Sequence, residues 1–325
     1  MGARCIIVGA GMCGLLAGER LQDAGLLVTV LDKGSGVGGR LATRRIGDAV
    51  LDHGAQFFTA RERHFQARVA RWQAEGIVAP WFVRHTEAVP DEPCFAAPGG
   101  MNRLAKHVAT NLNVVTGTQV SHIERRGATW RVQTQAGPTY EAEVVLVTAP
   151  VPQSLALVEI GDWRVPEPLR ARLAALTYDP CLALLLVLDR APRIPPGGQA
   201  LPPTEAGPLA WLADNHQKGV SSHAHAVTLL GAPGWSRAAF DQPDKAIAQT
   251  LRTAAAPWLG DAGIVASQVK KWRYARVSQA SDTPFAVLHD APLLVMAGDA
   301  FGGPRVEAAV LSGWAAADAI LRNCL

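Results

Sequence analysis

Residues 4–40 read RCIIVGAGMCGLLAGERLQDAGLLVTVLDKGSGVGGR. The run RCIIV (4–8) is apolar and of strand length. Residues 14–24 set Leu15, Leu16 and Leu21 at helical spacing, with Gly25 placed as a C-cap, and LLVTVL (26–31) is a second apolar strand. Strand, glycine turn, helix and strand in this order form a βαβ unit, the building block of a parallel sheet. The turn, Gly9-Ala10-Gly11-Met12-Cys13-Gly14, is GxGxxG. Gly9 allows the tight turn, Gly11 lets a diphosphate approach the backbone, and Gly14 lets the helix lie close on the strand. The helix N-terminus then offers unpaired N–H groups and partial positive charge to phosphates. Asp32 ends the second strand, where its carboxylate can accept hydrogen bonds from adenosine ribose hydroxyls. Dinucleotide binding is the expectation.

A second glycine loop, Gly36-Val37-Gly38-Gly39-Arg40, follows at once. NAD does not need it. A longer cofactor does, because glycines make room and an arginine supplies charge-assisted donors to a diphosphate. Near the other end, Gly298-Asp299 closes the apolar run LLVMA (293–297), and a helix is expected from about residue 306 to 321. An aspartate at the carboxyl end of a strand faces the ligand crevice and can accept from a ribityl chain. A helix N-terminus there favours negative charge on the pyrimidine side of a reduced flavin. These features point to FAD.

The remaining pattern is mixed. Helices are expected at 62–75 and 101–111, and short alternating segments between 114 and 148 suggest an antiparallel meander returning to a buried strand, 144–148. Strands follow at 182–188 and 226–231, separated by the proline-punctuated stretch RAPRIPPGGQALPPTEAGP, and a helix at 243–256. The expected architecture is α/β: a Rossmann-like FAD-binding domain of residues 1–74, 97–160 and 268–325, with an inserted α+β substrate domain of residues 75–96 and 161–267.

Composition narrows the class. Among 325 residues, 49% are hydrophobic and 18% charged, which excludes a disordered chain. The net charge of +3 comes without a dense basic cluster, so nucleic acid is not an expected partner. No run approaches the roughly 18 apolar residues of a membrane span. The glycines inside the apolar opening run argue against a signal peptide, and Ile6 departs from the myristoylation motif. Five cysteines without CxxC spacing suggest neither a disulfide framework nor zinc, and His223 with His225 makes only an isolated HxH. A cytoplasmic protein without a metal is expected.

Several segments together resemble the renalase family, of the bacterial type, within the flavin amine-oxidase superfamily. They are DKGSGVGGR (32–40), LDHGAQFF (51–58), PGGMNRLAKHVA (98–109), VTAP (147–150), WLADNHQK (211–218), WSRAAF (235–240), KKWRYAR (270–276) and AGDAFGGPRVEAAVLSG (297–313). The resemblance implies a p-hydroxybenzoate hydroxylase-like fold and noncovalent FAD. It also implies oxidation of 2- or 6-dihydro isomers of NAD(P)H to NAD(P)+, with oxygen reduced to hydrogen peroxide. By the same resemblance, Cys13, Asp32, Lys33, Arg40, Gln56, Phe57, the backbone of Val120, Asp299, Arg305 and Val306 contact FAD. They join Gly9, Gly11, Gly14, Gly38, Gly39 and Gly298. The chain departs from the family pattern at Phe57 (often Tyr), Gly219 (often Pro), Ala300 (often Trp) and Lys270-Lys271 (His-Arg in relatives).

A dihydronicotinamide that loses hydride becomes aromatic, so no base has to remove a proton from carbon. The protein's task is to hold the ring against the flavin. Candidate walls are Phe57, Phe58, Trp211, Trp272 and Tyr274; Asn215 is a candidate partner for a carboxamide and Lys218 for a substrate phosphate. A related amine oxidase or desaturase, or a flavin-binding redox sensor without turnover, are the alternative readings.

Overall fold

The strand Arg4–Val8 is central to a six-stranded sheet and is buried from Cys5 to Val8. It pairs in parallel with Leu27–Leu31 on one side and Val144–Val147 on the other. Leu293–Met296 continues the parallel sheet, and Ala286–His289 closes that edge antiparallel. Such strands, covered on both faces, read as continuous apolar runs, which is why their positions are plain in the sequence. The helices Met12–Asp23 and Val306–Cys324 pack on each other. The computed structural model describes residues 2–85, 91–160, 163–201 and 207–324. Residues 202–206 of the proline-punctuated stretch, and residues 161 and 162 at an expected domain boundary, lie outside the described residues.

The chain divides into two compact units. The first comprises Met1–Gly39, Ala105–Thr177 and Val277–Leu325; the second comprises Arg40–Leu104 and Tyr178–Arg276. The expected partition put residues 40–74, 97–104 and 268–276 with the first unit and 161–177 with the second. Packing explains the shifts. The hairpin of Thr43–Ile46 and Ala49–Asp52 buries Ala49 and Leu51 against Leu185 and Ala226 of the second unit. Residues 268–276 belong to the long strand Ile264–Gln279, a member of that unit's five-stranded sheet. The helix Glu167–Ala174 packs on Val151–Glu159 in the first.

The first unit also holds the expected meander: Val120–Arg126, Thr129–Thr134 and Thr139–Ala142 form a three-stranded antiparallel sheet. Val114–Val115 departs from the expectation. It leaves the meander and pairs in parallel with Val30 and Leu31 at the edge of the main sheet. Gly117, at φ 65°, turns the chain between the two sheets.

In the second unit the sheet order is Gln199–Ala200, Leu209–Asp214, His225–Gly231, Thr177–Leu188, Ile264–Gln279. Alternation gives this sheet two distinct faces. One face carries Leu182, Leu184, Leu186, Leu212, Val227 and Leu229, which bury against Ile247, Leu251, Ala255 and Leu259 of the helix Asp244–Leu259. The opposite face carries Leu185, Val187, Ala226 and Thr228, under the Ala49–Asp52 strand. Leu251 has no exposed surface. Leu251→Ala is expected to lower the unfolding free energy of holoprotein by about 2–5 kcal/mol, read from urea titration by tryptophan fluorescence. An unchanged midpoint would show that the helix does not close this core.

Candidate active site

The first unit builds a cradle at the carboxyl ends of its parallel strands. Gly9 has φ 113°, a conformation L side chains rarely adopt, and its N–H donates to Leu31 O at 2.8 Å. A Cβ on Gly14 would sit 2.1 Å from Gly9 O and 3.1 Å from Ile7 Cγ2, so the helix can rest on the strand only with glycine there. Gly11 is the opposite case: a Cβ would meet nothing within 4 Å. The turn is closed toward the protein and open toward a ligand. Gly38, at φ 114°, donates to Ala10 O at 2.8 Å and fastens the second glycine loop to the first. Gly39, at φ 53°, also takes the left-handed conformation.

Asp32 serves this loop directly. Its Oδ2 accepts from Ala10 N at 2.6 Å and its Oδ1 from Gly34 N at 2.7 Å. Each carboxylate oxygen has a second lone pair, so acceptance from a ribose remains open. Lys33 is exposed, Cys13 is buried at the start of its helix, and Val120 is buried at the start of the meander. At the far end Gly298, at φ 147°, donates to Ser312 Oγ at 2.9 Å, and buried Asp299 opens a 3-10 turn. Exposed Arg305 donates its N–H to Gly303 O, and Val306 begins the helix Val306–Cys324. Two helix N-termini thus stand at the same edge of the sheet, each with backbone donors to offer.

The second unit is organised around Asp52, which the sequence reading passed over. Its side chain and that of Lys218 have no exposed surface, and Lys218 Nζ donates to Asp52 Oδ2 at 2.8 Å. Asp52 Oδ1 accepts from Thr43 Oγ1 at 2.6 Å and Met101 N at 2.8 Å. Its backbone carbonyl accepts from Gln56 Nε2 and Thr228 Oγ1, and its N–H donates to Asn215 Oδ1. Burial lowers the Lys218 pKa from its ordinary value, with Asp52 opposing.

Three expectations are corrected here. Lys218 is not presented to a substrate phosphate, because Asp52 holds it inside. Asn215 is not presented to a carboxamide: it is fully buried, and its Nδ2 donates to Thr228 Oγ1 at 2.9 Å. Phe58, 3% exposed, is core packed on Phe65 and Phe95 rather than a cavity wall. The sequence signal was ambiguous because a polar residue in a strand–loop segment reads the same whether it faces a ligand or a buried partner.

The half-buried rings sort into separate groups. Phe57 and Trp211 join Trp81 and Phe82 in one cluster, with centroids 5.0–6.4 Å apart. Trp81 and Phe82, missed in the sequence reading, were visible as an adjacent aromatic pair. Trp81 also faces Lys218 Nζ at 5.0 Å from its centroid. Trp211 Nε1 and Gln56 Oε1 are buried without a hydrogen-bond partner among the described residues. Trp272 and Tyr274 belong elsewhere. Trp272 stacks on His53 at 5.4 Å and donates to its carbonyl at 2.7 Å, whereas Tyr274 meets Tyr178. Arg40 Nη1 lies 3.4 Å from Tyr274 O and 3.5 Å from Ala275 O.

In the first unit, a glycine turn with an open side and two helix N-termini at one edge of the sheet fit a dinucleotide flavin. The comparisons agree in class. The chain belongs to the flavin containing amine oxidoreductase family, whose pattern matches residues 71–321; an NAD(P)-binding Rossmann-like domain matches residues 7–72. It is an FAD-dependent oxidoreductase. Over 321 residues it is 26% identical to Renalase of Mus musculus, covering 92% of this chain and 93% of the mouse protein. Among solved structures, a protein from Exiguobacterium sp. 255-15 assigned as a protoporphyrinogen oxidase superposes with TM-score 0.76 at 14% identity, covering 98% and 99% of the two chains. Wild-type putrescine oxidase bound to putrescine gives TM-score 0.74 at 15% identity, covering 99% of each. At these identities the superpositions establish the fold. No helix among the described residues is long and apolar enough to cross a membrane.

Two predictions follow from the geometry. Gly11→Ala fills the open side of the turn and should weaken FAD binding at least about tenfold. Gly14→Ala, colliding with Gly9 O, should lower FAD content and also destabilise the apoprotein. Flavin absorbance after desalting and thermal melts without FAD separate the two; equal FAD retention in both would contradict the cradle. The second concerns His53, whose pKa burial and nearby Lys270 push down to about 4. The folded chain resists the proton that the unfolded chain takes near pH 6.5. Stability should therefore fall as pH drops from about 6.5 to 4, by at most about 1.4 kcal/mol per unit. His53→Asn should flatten that part of the urea-unfolding pH profile.

Proposed function

We propose that this flavoenzyme oxidises 2- or 6-dihydro isomers of NAD(P)H to NAD(P)+ and reduces oxygen to hydrogen peroxide. The observation that carries the reading is the ring cluster of Phe57, Trp81, Phe82 and Trp211, whose charged neighbours are already committed. Lys218 is paired with Asp52, and Arg84, which lies over Phe57, is paired with Glu92. Arg84 and Arg61 together hold the Glu92 pKa at about 2, so this carboxylate stays ionised and occupied. Flat apolar walls suit a nicotinamide ring. An amine substrate would use such rings as a cage for its cation, but Arg84 and Lys218 already lie over the Phe57 and Trp81 faces; a carbon acid would want a base. A dihydronicotinamide wants neither, because departure of hydride restores aromaticity.

The substrate loses a hydride; its electron pair and its proton both pass to oxygen, and one further proton from solvent completes hydrogen peroxide. Bound FAD supplies the hydride acceptor and the relay to oxygen. The chain's own work is to hold the ring flat, keep water away and fix its orientation. With Asn215 committed inside, Trp211 Nε1, buried with no hydrogen-bond partner among the described residues, is the donor assigned to the carboxamide oxygen. The likeness to Renalase along nearly the whole chain supports the same substrate class.

Anaerobic mixing of the oxidised enzyme with each dihydro isomer, ordinary NADH and a panel of amines tests this. Rapid bleaching of the flavin by a 2- or 6-dihydro isomer is expected. Bleaching only by amines would replace the reading with amine oxidation, and no bleaching by any donor would favour a redox sensor. Trp211→Phe should keep the ring but lose the donor, raising KM for the isomer by about 3- to 30-fold. An unchanged KM would remove Trp211 from this role.

A further inference from the structure

The strand Ile264–Gln279 turns Gln268, Lys270 and Trp272 to one face by alternation. Two of the three are fixed. Gln268 Oε1 accepts from Arg44 Nε at 3.1 Å, and Trp272 stacks on His53 while donating to its carbonyl. Lys270 stands between them, two residues from each, so Arg44, Lys270 and His53 are set in a row along one face of the strand. The neighbouring Lys271 points the other way and is satisfied by Phe240 O, Gln242 O and Asp244.

Among the described residues neither Arg44 nor Lys270 pairs with a carboxylate. The nearby acid, Asp52, is taken by Lys218. Lys270 is half-buried, and its charge suffers both from burial and from repulsion by Arg44. Both cations also disfavour a proton on His53, whose Nδ1 is buried with no hydrogen-bond partner among the described residues. Gln268 places the exposed Arg44 guanidinium beside Lys270 on the same strand face, and the repulsion between these like charges would be relieved by a bound anion. A doubly charged phosphoryl oxygen cluster would relieve the repulsion and accept from both side chains.

We propose that Arg44 and Lys270 form a phosphate subsite, with His53 at its edge, for a phosphate group of the nucleotide substrate. The inference rests on the dinucleotide reading above and adds to it the residues that grip the nucleotide's charge. It also gives the Lys270 departure from the family pattern a purpose, because lysine is a flexible point charge suited to phosphate.

The test uses the FAD-loaded enzyme and the variants Lys270→Gln, Arg44→Gln and Lys270→Arg. Inorganic pyrophosphate is titrated calorimetrically into the oxidised holoenzyme. Wild type should bind it, each Gln variant should lose about tenfold in affinity, and Lys270→Arg should retain most of it. In turnover, Lys270→Gln should raise KM for a dihydronicotinamide dinucleotide about tenfold and for the phosphate-free riboside less than about twofold. Equal effects on NAD and NADP isomers identify the diphosphate as the group held; an effect confined to the NADP isomer identifies the 2′-phosphate. Pyrophosphate affinity unchanged in both Gln variants would overturn the subsite, as would equal KM increases for riboside and dinucleotide. If no dihydronicotinamide bleaches the flavin but pyrophosphate binding still depends on Lys270, the substrate reading fails and the anion subsite stands.

Discussion

Lys218 Nζ and Asp52 Oδ2 meet at 2.8 Å with neither side chain exposed, and the working face of the second unit is assembled around that contact. Taking two charges out of water costs several kcal/mol, recovered only when geometry and further hydrogen bonds are good. Here they are. Asp52 accepts from Thr43, Met101 and Lys218, while its backbone engages Asn215, Gln56 and Thr228. One residue therefore ties a hairpin, a helix start, a turn and a sheet strand together. The contact also fixes chemistry, because it withdraws the unit's buried lysine and asparagine from any ligand and leaves rings and an indole N–H beside them.

A different constraint shapes the first unit: backbone clearance. Gly14 must have no Cβ so that its helix can rest on Gly9 O, and Gly313 must have none because its Cβ would lie 2.4 Å from Cys13 O. The helices Met12–Asp23 and Val306–Cys324 are thereby held at contact distance, and the turn between Val8 and Met12 keeps its open side. Asp32 completes it by accepting from Ala10 and Gly34. The FAD-binding character is a consequence of tight packing on one side and free space on the other.

This unit was legible in sequence because its signals are local. GxGxxG lies between two apolar runs, and Gly298-Asp299 lies between a strand and a helix, so a window of a few residues suffices. The second unit was less legible because its contacts span long separations: Asp52 and Lys218 are 166 positions apart. From sequence, Lys218 and Asn215 looked like ligand-facing polar groups, and only the fold supplies the partners that consume them. Phe57 and Trp211 were recognised, but Trp81 and Phe82 completed their cluster unannounced. Trp272 was recognised as an aromatic wall, whereas its stacking on His53 required the strand register.

The Asp52–Lys218 contact is an energetic hub rather than an incidental buried pair. A double-mutant cycle on the FAD-loaded protein with Asp52→Asn, Lys218→Met and the combination, followed by urea unfolding, measures that directly. Each single variant strands a buried partner and should cost about 3–5 kcal/mol. The double variant should be far less destabilised than the sum, giving a coupling of about 2–3 kcal/mol. Additive losses, with coupling inside about 0.5 kcal/mol, would show that the pair is not a hub.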